Sequence, residues 1–145
     1  MARGLSRRFG EQSDRARSLR LLLDTHVLLW SLHRPEALSR QALELLSDSA
    51  NEVLASAVSL WEMAIKKRAG KMEVDLGLVM AGVAEQGFMR LGVEDRHLQT
   101  LLGLPFHHRD PFDHLLIAQA IAEDAAFVTR DRAAARYPII VVAAD

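Results

Sequence analysis

Short apolar runs that end on an acid constrain this chain more than any other feature. Leu21-Leu22-Leu23 stops at Asp24, and Ala125-Ala126-Phe127-Val128-Thr129 runs into Arg130-Asp131. An apolar run without polar alternation marks a strand buried on both faces, and such strands belong to parallel sheets sheathed by helices. Open parallel sheets bind ligands in the crevice beyond the carboxyl ends of their strands. Asp24 and Asp131 are therefore placed to meet in one cleft, although they come from opposite ends of the sequence.

Between these runs the pattern alternates. Strands are expected over 18–24, 52–55, 88–93, 125–129 and 139–142. Helices are expected over 25–32, from Leu38-Ser39-Arg40 through Leu46, and over 57–69, 76–86, 94–102 and 110–124, with a short one over 132–136. Ser39 and Ser56 are suited to cap helices, because a hydroxyl accepts a free N–H of the first turn. Gly70 and Gly87 are natural stops, and Asp110-Pro111 sets Pro at a first helical position. Strands alternating with helices imply an α/β fold with a mostly parallel sheet covered on both faces. At 145 residues, one domain around a single core is expected.

The chain has no Cys, which removes disulfides, thiolate zinc sites and Cys nucleophiles together and suits a cytoplasmic protein. No apolar stretch approaches membrane-spanning length. The net charge of −1 hides an asymmetry: residues 1–20 carry six Arg against Glu11 and Asp14, a local +4, which leaves −5 for the rest. Phosphate affinity needs clustered Lys and Arg, so a body of that sign must use local basic groups or a bridging cation to hold nucleic acid. Residues 1–19 are expected to be a flexible basic extension that lacks the apolar core of a secretory signal.

Each acid also has a bland reading. Asp24 can cap the helix from Thr25, and capping leaves lone pairs for a second role. Glu62 shares a helix face with Val58, Trp61, Ile65 and Ala69 at about 100° per residue. An acid on an apolar stripe faces the core or a cleft, and burying it without a cation is costly. Lys66, one turn on, can supply a surface pair, and a metal is the other candidate. Asp110 and Asp113 resemble a capping box at a helix start whose dipole keeps a carboxylate ionised. Asp110 is expected to cap and Asp113 to join the cleft. Asp131 can be a turn residue or a ligand, with Thr129 bonding a ligating carboxylate. His107, His108 and His114 lack the one-turn spacing of helical zinc motifs and are expected in loops or on the surface. His26 and His33 are expected in packing roles. Carboxylates gathered without Cys point first to a hard cation.

Four segments then fall in order: Leu21-Leu22-Leu23-Asp24-Thr25-His26, Ser59-Leu60-Trp61-Glu62, His108-Arg109-Asp110-Pro111-Phe112-Asp113-His114-Leu115-Leu116-Ile117-Ala118-Gln119-Ala120, and Val128-Thr129-Arg130-Asp131. Together they resemble the motifs of PIN-domain nucleases, and most closely the VapC-type toxins of bacterial toxin–antitoxin pairs. The resemblance runs from about residue 20 to the C-terminus, and it makes residues 20–145 a PIN-like nuclease domain. It implies a three-layer α/β/α sandwich with a five-stranded parallel sheet, a homodimer, and a VapB-type antitoxin partner. It also implies a metal-binding quartet on Asp24, Glu62, Asp113 and Asp131. The family's usual Asp-Arg-Leu-Leu is here Asp113-His114-Leu115-Leu116, so a phosphate contact by that Arg has no counterpart.

The implied activity is a Mg²⁺- or Mn²⁺-dependent endoribonuclease, acting as the toxin and cutting RNA with metal-activated water. Mg²⁺ prefers oxygen ligands and keeps several waters, and a bound cation lowers the pKa of one of them. Asp24, Asp113 and Asp131 would hold metal, and Glu62 would hold metal or orient the water. An antitoxin is expected to insert Arg or Lys among the carboxylates and to lay an apolar helix in a groove walled by 38–46 and the helix after Ser56. Two rivals differ in class. A phosphoryl-aspartate hydrolase of the haloacid dehalogenase type needs a second acid two residues after its nucleophile, where this chain has His26. A non-catalytic RNA- or protein-binding domain would have no use for all four acids.

Overall fold

The computed structural model describes residues 18–106 and 110–145. Most of the Arg-rich start, and the pair His107 and His108, lie outside the described residues. Five strands, β1 (Arg20–Leu23), β2 (Glu52–Ser56), β3 (Met89–Leu91), β4 (Ala126–Thr129) and β5 (Val141–Ala143), pair in parallel in the order β3-β2-β1-β4-β5. The helices are α1 (Thr25–His33), α2 (Arg40–Ser47), α3 (Ala57–Arg68), α4 (Leu76–Glu85), α5 (Asp95–Leu102) and α6 (Pro111–Ala122), with 3-10 turns at Pro35–Ala37 and Arg132–Arg136.

Most boundaries fall where the caps set them. The hydroxyls of Ser39 and Ser56 accept from Ala42 N–H and Val58 N–H, and Gly70 and Gly87 follow α3 and α4 with φ of 72° and 74°, the left-handed region that favours glycine. The third strand is shorter than expected, because Phe88 N–H bonds back to Val83 O to close α4. The last strand begins later, at Val141, and Ile140 is left exposed.

The sheet divides the single expected core in two. Leu21, Leu23, Val53, Ala55, Ala126 and Val128 pack with Val27, Leu28, Ala42 and Val79 on one face. Leu22, Leu54 and Phe127 pack with Leu116, Ile117 and Ala120 of α6 on the other. Alternation along each strand produces this division, and each fully buried side chain of this size contributes about 1.5–3 kcal/mol. The result is the expected three-layer sandwich.

One expectation about the helices is corrected, at α3. α2 packs along β5, where Ser39 N–H bonds Ala144 O and Ser39 Oγ bonds Ala143 O, whereas α3 packs against α1, α4 and α6. Both helices pack on the same face of the sheet, where Ala42 of one and Leu60 and Met63 of the other share one core cluster. α3 is rotated from the expected stripe: Val58, Ser59, Glu62 and Met63 are buried, but Trp61 is 51% and Ile65 41% exposed. Polar partners inside draw the Ser59–Glu62 side inward, and Trp61 meets Phe112 edge-on at 4.8 Å outside.

A polar network closes the amino end of the sheet. Glu123, which follows α6, accepts from Arg20 of β1 at 3.1 Å, from Arg96, and from His97 Nε2 at 2.8 Å. His97 Nδ1 accepts the Glu94 N–H at 3.0 Å, so the proton of a neutral ring sits on Nε2 and points at Glu123. Burial pushes the Glu123 carboxyl up, but the bonds from His97 and Arg20 and the charge of Arg96 outweigh it and hold the group below its ordinary range. A depressed value means stability that is present above the unfolded glutamate pKa, about 4.3, and is lost as pH falls through the folded value. Glu123→Ala should therefore cost about 1–3 kcal/mol, the range for a buried donor left unpaired. The urea midpoint should fall with the slope unchanged, and the deficit should shrink in acid; equal midpoints at neutral pH would show that the network contributes nothing.

Candidate functional site

The strand order reverses beside β1. From β1 the chain steps to β2 and β3 on one side, then returns to place β4 on the other. A crevice opens at such a switch point, beyond the carboxyl ends of the two strands. Asp24 follows β1 and Asp131 follows β4 by two residues. Both therefore project where the sheet offers a site.

Asp24 is 6% exposed and does two things at once. Its Oδ1 accepts the Val27 N–H at 2.8 Å and caps α1, while its Oδ2 accepts the Thr129 hydroxyl. Burial pushes the carboxyl up, opposed by those two bonds and by one from the Arg130 backbone. Thr129 Oγ1 in turn accepts the Asp131 N–H at 3.0 Å, so one hydroxyl ties the two acids together. Asp131 Oδ1 accepts the Ala133 N–H at 2.9 Å and caps the second 3-10 turn.

Glu62 arrives from α3 with 3% exposure. Its Oε1 accepts the Thr25 hydroxyl at 2.6 Å, and its Oε2 lies 2.6 Å from Lys66 Nζ. Thr25 has one proton to give and spends it on Glu62, so Ser59, 3.1 Å away, must donate to Thr25. The pair with Lys66 weighed from sequence is thus present. At the head of α6, Asp110 Oδ1 accepts from Phe112 N–H at 2.8 Å and Asp113 N–H at 3.3 Å. Asp110 caps, and Asp113 stands one turn inside.

Asp24, Glu62, Asp110, Asp113 and Asp131 line one cleft of about 270 Å³, with Thr25, His26, Lys66 and Arg130. Five carboxylates there face two permanent cations. A larger cavity of about 830 Å³ lies at the opposite end of the sheet, but among the described residues Asp124 is the one acid in its walls, so donor chemistry, not size, singles out the smaller cleft. Its donors are all oxygen apart from His26, which suits a hard cation. Among the described residues, the three carboxylate or imidazole ligand atoms within 4.8 Å of one another belong to Glu94, His97 and Glu123, not to the cleft. That trio is already satisfied by Arg20 and Arg96.

Sequence reasoning missed the placement of three residues. His114 is buried, not on the surface; its Nε2 lies 2.9 Å from Tyr137 Oη, and Phe106 stands edge-on at 5.5 Å. It therefore does not replace the Arg of the usual motif at the cleft. His26 is exposed on the cleft wall instead of packed. Arg130 lines the cleft and lies over the Trp30 ring at 5.1 Å. Its position beside Asp131 was the one available signal.

A PIN-domain family model matches residues 21–140. The chain is similar to Ribonuclease VapC22 of Mycobacterium tuberculosis (strain ATCC 25618 / H37Rv), with 29% identity over 115 residues, 77% of this chain and 87% of that protein. Among solved structures it is similar to VapBC2 from Rickettsia felis bound to a DNA fragment from its promoter, at a TM-score of 0.63 and 19% identity, covering 88% of this chain and 100% of that one. It is also similar to FitAB bound to an IR36 DNA fragment, at a TM-score of 0.55 and 22% identity, covering 85% and 94%. Among the described residues, no helix is long and apolar enough to cross a membrane.

Proposed function

Because the chain belongs to the PIN-domain family, we propose that it is a divalent-metal-dependent endoribonuclease and the VapC-type toxin of a toxin–antitoxin pair. The observation that carries this reading is the gathering of Asp24, Glu62, Asp113 and Asp131 around one cleft at the switch point of the sheet. Asp24, Asp113 and Asp131 have the oxygens that would hold Mg²⁺ or Mn²⁺. When bound, the cation supplies an acidified water and neutralises charge developing on the phosphate. Glu62, fixed by Thr25, would hold the cation with these aspartates or orient the attacking water. Thr129 holds Asp24 in place and keeps Asp131 in register with it.

The water oxygen forms the new bond to phosphorus, the bond from phosphorus to O3′ breaks, and O3′ leaves as a hydroxyl. The products are a 5′-phosphate and a 3′-hydroxyl. Incubating RNA with the protein and Mg²⁺ and then determining the ends tests this directly. A 2′,3′-cyclic phosphate would mean that the 2′-hydroxyl is the nucleophile and would sink the mechanism. A VapB-type antitoxin, a homodimer and a cytoplasmic setting belong to the same reading and rest on the likeness to VapC-type chains.

A further inference from the structure

This reaction leaves both cations of the cleft unused, Arg130 over the Trp30 ring and Lys66 against Glu62. Lys66 Nζ lies 2.6 Å from Glu62 Oε2, and the pair straddles the edge of the core: the Glu62 side chain is 4% exposed, that of Lys66 31%. Thr25 holds the other oxygen, so both Glu62 oxygens are engaged within the protein. The hydrogen bond to Glu62 raises the ammonium's pKa, and the charges of Asp110 and Asp113 raise it further from across the cleft. Lys66 thus sits among the acids a divalent ion would use. Its ammonium rides on a flexible four-carbon stem, so it can turn toward the cleft mouth without moving α3.

An RNA phosphate entering a cleft with five carboxylates needs a cation at its non-bridging oxygens. His114 is buried against Tyr137 and cannot provide one. Arg130 is stacked on Trp30. Lys66 is both charged and aimed at the acids, and lysine serves as a point-charge phosphate binder.

Building on the ribonuclease reading, we propose that Lys66 is a catalytic exchange cation: it holds Glu62 until an RNA phosphate enters, then passes its ammonium to that phosphate and frees Glu62 Oε2. The exchange couples RNA and divalent ion positively, because the phosphate draws away the group that competes with the ion for Glu62. The ion and the ammonium share one carboxylate, and the substrate decides between them.

Lys66→Met keeps the aliphatic stem and removes the charge. Free Mn²⁺ followed by electron paramagnetic resonance, without RNA, should show the variant binding Mn²⁺ more tightly than the parent by roughly 5- to 150-fold, the usual span of coupling between two ligands. At saturating Mn²⁺ its kcat for RNA should nevertheless fall, by about 10²-fold, the effect of losing one charge-stabilising group. Lys66→Arg should keep the parent's Mn²⁺ affinity and part of its rate. A structural ion pair also predicts tighter Mn²⁺ binding, because the cleft loses a positive charge, but it predicts the parent's kcat at saturating Mn²⁺, so the fall in rate is what separates the two. A folded Lys66→Met with unchanged or weaker Mn²⁺ affinity, or with the parent's rate, overturns the proposal alone. A parent that binds no Mn²⁺ and cuts no RNA overturns the ribonuclease reading with it. Should Lys66→Met not fold by circular dichroism, Lys66→Gln carries the same expected signs.

Discussion

Asp24→Asn should lower RNA cleavage by more than about 100-fold with the fold intact. Losing a partner that only supports a metal ligand costs 10- to 100-fold, and the ligand itself should cost more. Asn keeps the size and remains a good helix cap, so the bond to Val27 N–H survives. It loses the charge that attracts a cation. The amide nitrogen also takes the place of Oδ2 and cannot accept the Thr129 hydroxyl, a cost of about 1 kcal/mol against the relief of no longer burying a charge. Stability should therefore change little. Its pH dependence should change more. Burial holds the folded pKa of Asp24 above the unfolded value, so its contribution is full below about pH 3.9 and is lost as pH rises through the folded value. In chelator, the parent should lose stability over that rise and the Asn variant less. Urea titrations across pH measure this, and parallel curves would show that Asp24 does not ionise at a cost. Produced alone in bacteria, the parent should arrest growth and the variant should not. Equal arrest by a folded variant would place the harm outside this cleft.

Removing divalent ions should both silence cleavage and weaken the fold. A cation that binds the folded cleft and not the unfolded chain stabilises by RT ln(1 + [L]/Kd), about 2.7 kcal/mol at 100 times Kd. The cleft favours such a cation because its carboxylates outnumber its cations. Thermal melts in EDTA and in rising Mn²⁺ should therefore diverge, with the same acids controlling stability and cleavage. Asp24→Asn should blunt the Mn²⁺ dependence. If cleavage persists in EDTA, a metal-independent nuclease is at work and the quartet's proposed role fails.

Local chemistry made much of this protein legible. Apolar runs ending at Asp24 and just before Asp131 announced parallel strands and their ligand-facing ends, because a strand buried on both faces has no polar residue to spare. Ser39, Ser56 and Asp110 announced helix starts, because a cap is satisfied within three residues of itself. The order of the four acidic motifs carried the family. The α3 stripe shows where this reasoning stops: periodicity gave a helix and turned Glu62 inward, but the rotation that exposes Trp61 and Ile65 goes with a bond from Glu62 to Thr25, thirty-seven positions away. His114 could not be assigned a place until Tyr137 was known to meet it. By itself, then, the sequence determined the elements, their caps and which acids end strands, since these depend on neighbours along the chain. Only the tertiary structure decided which partner most buried polar groups have, from Glu123 with Arg20 to Glu62 with Thr25 and His114 with Tyr137, because those pairings join segments whose separation in sequence carries no signal of their contact.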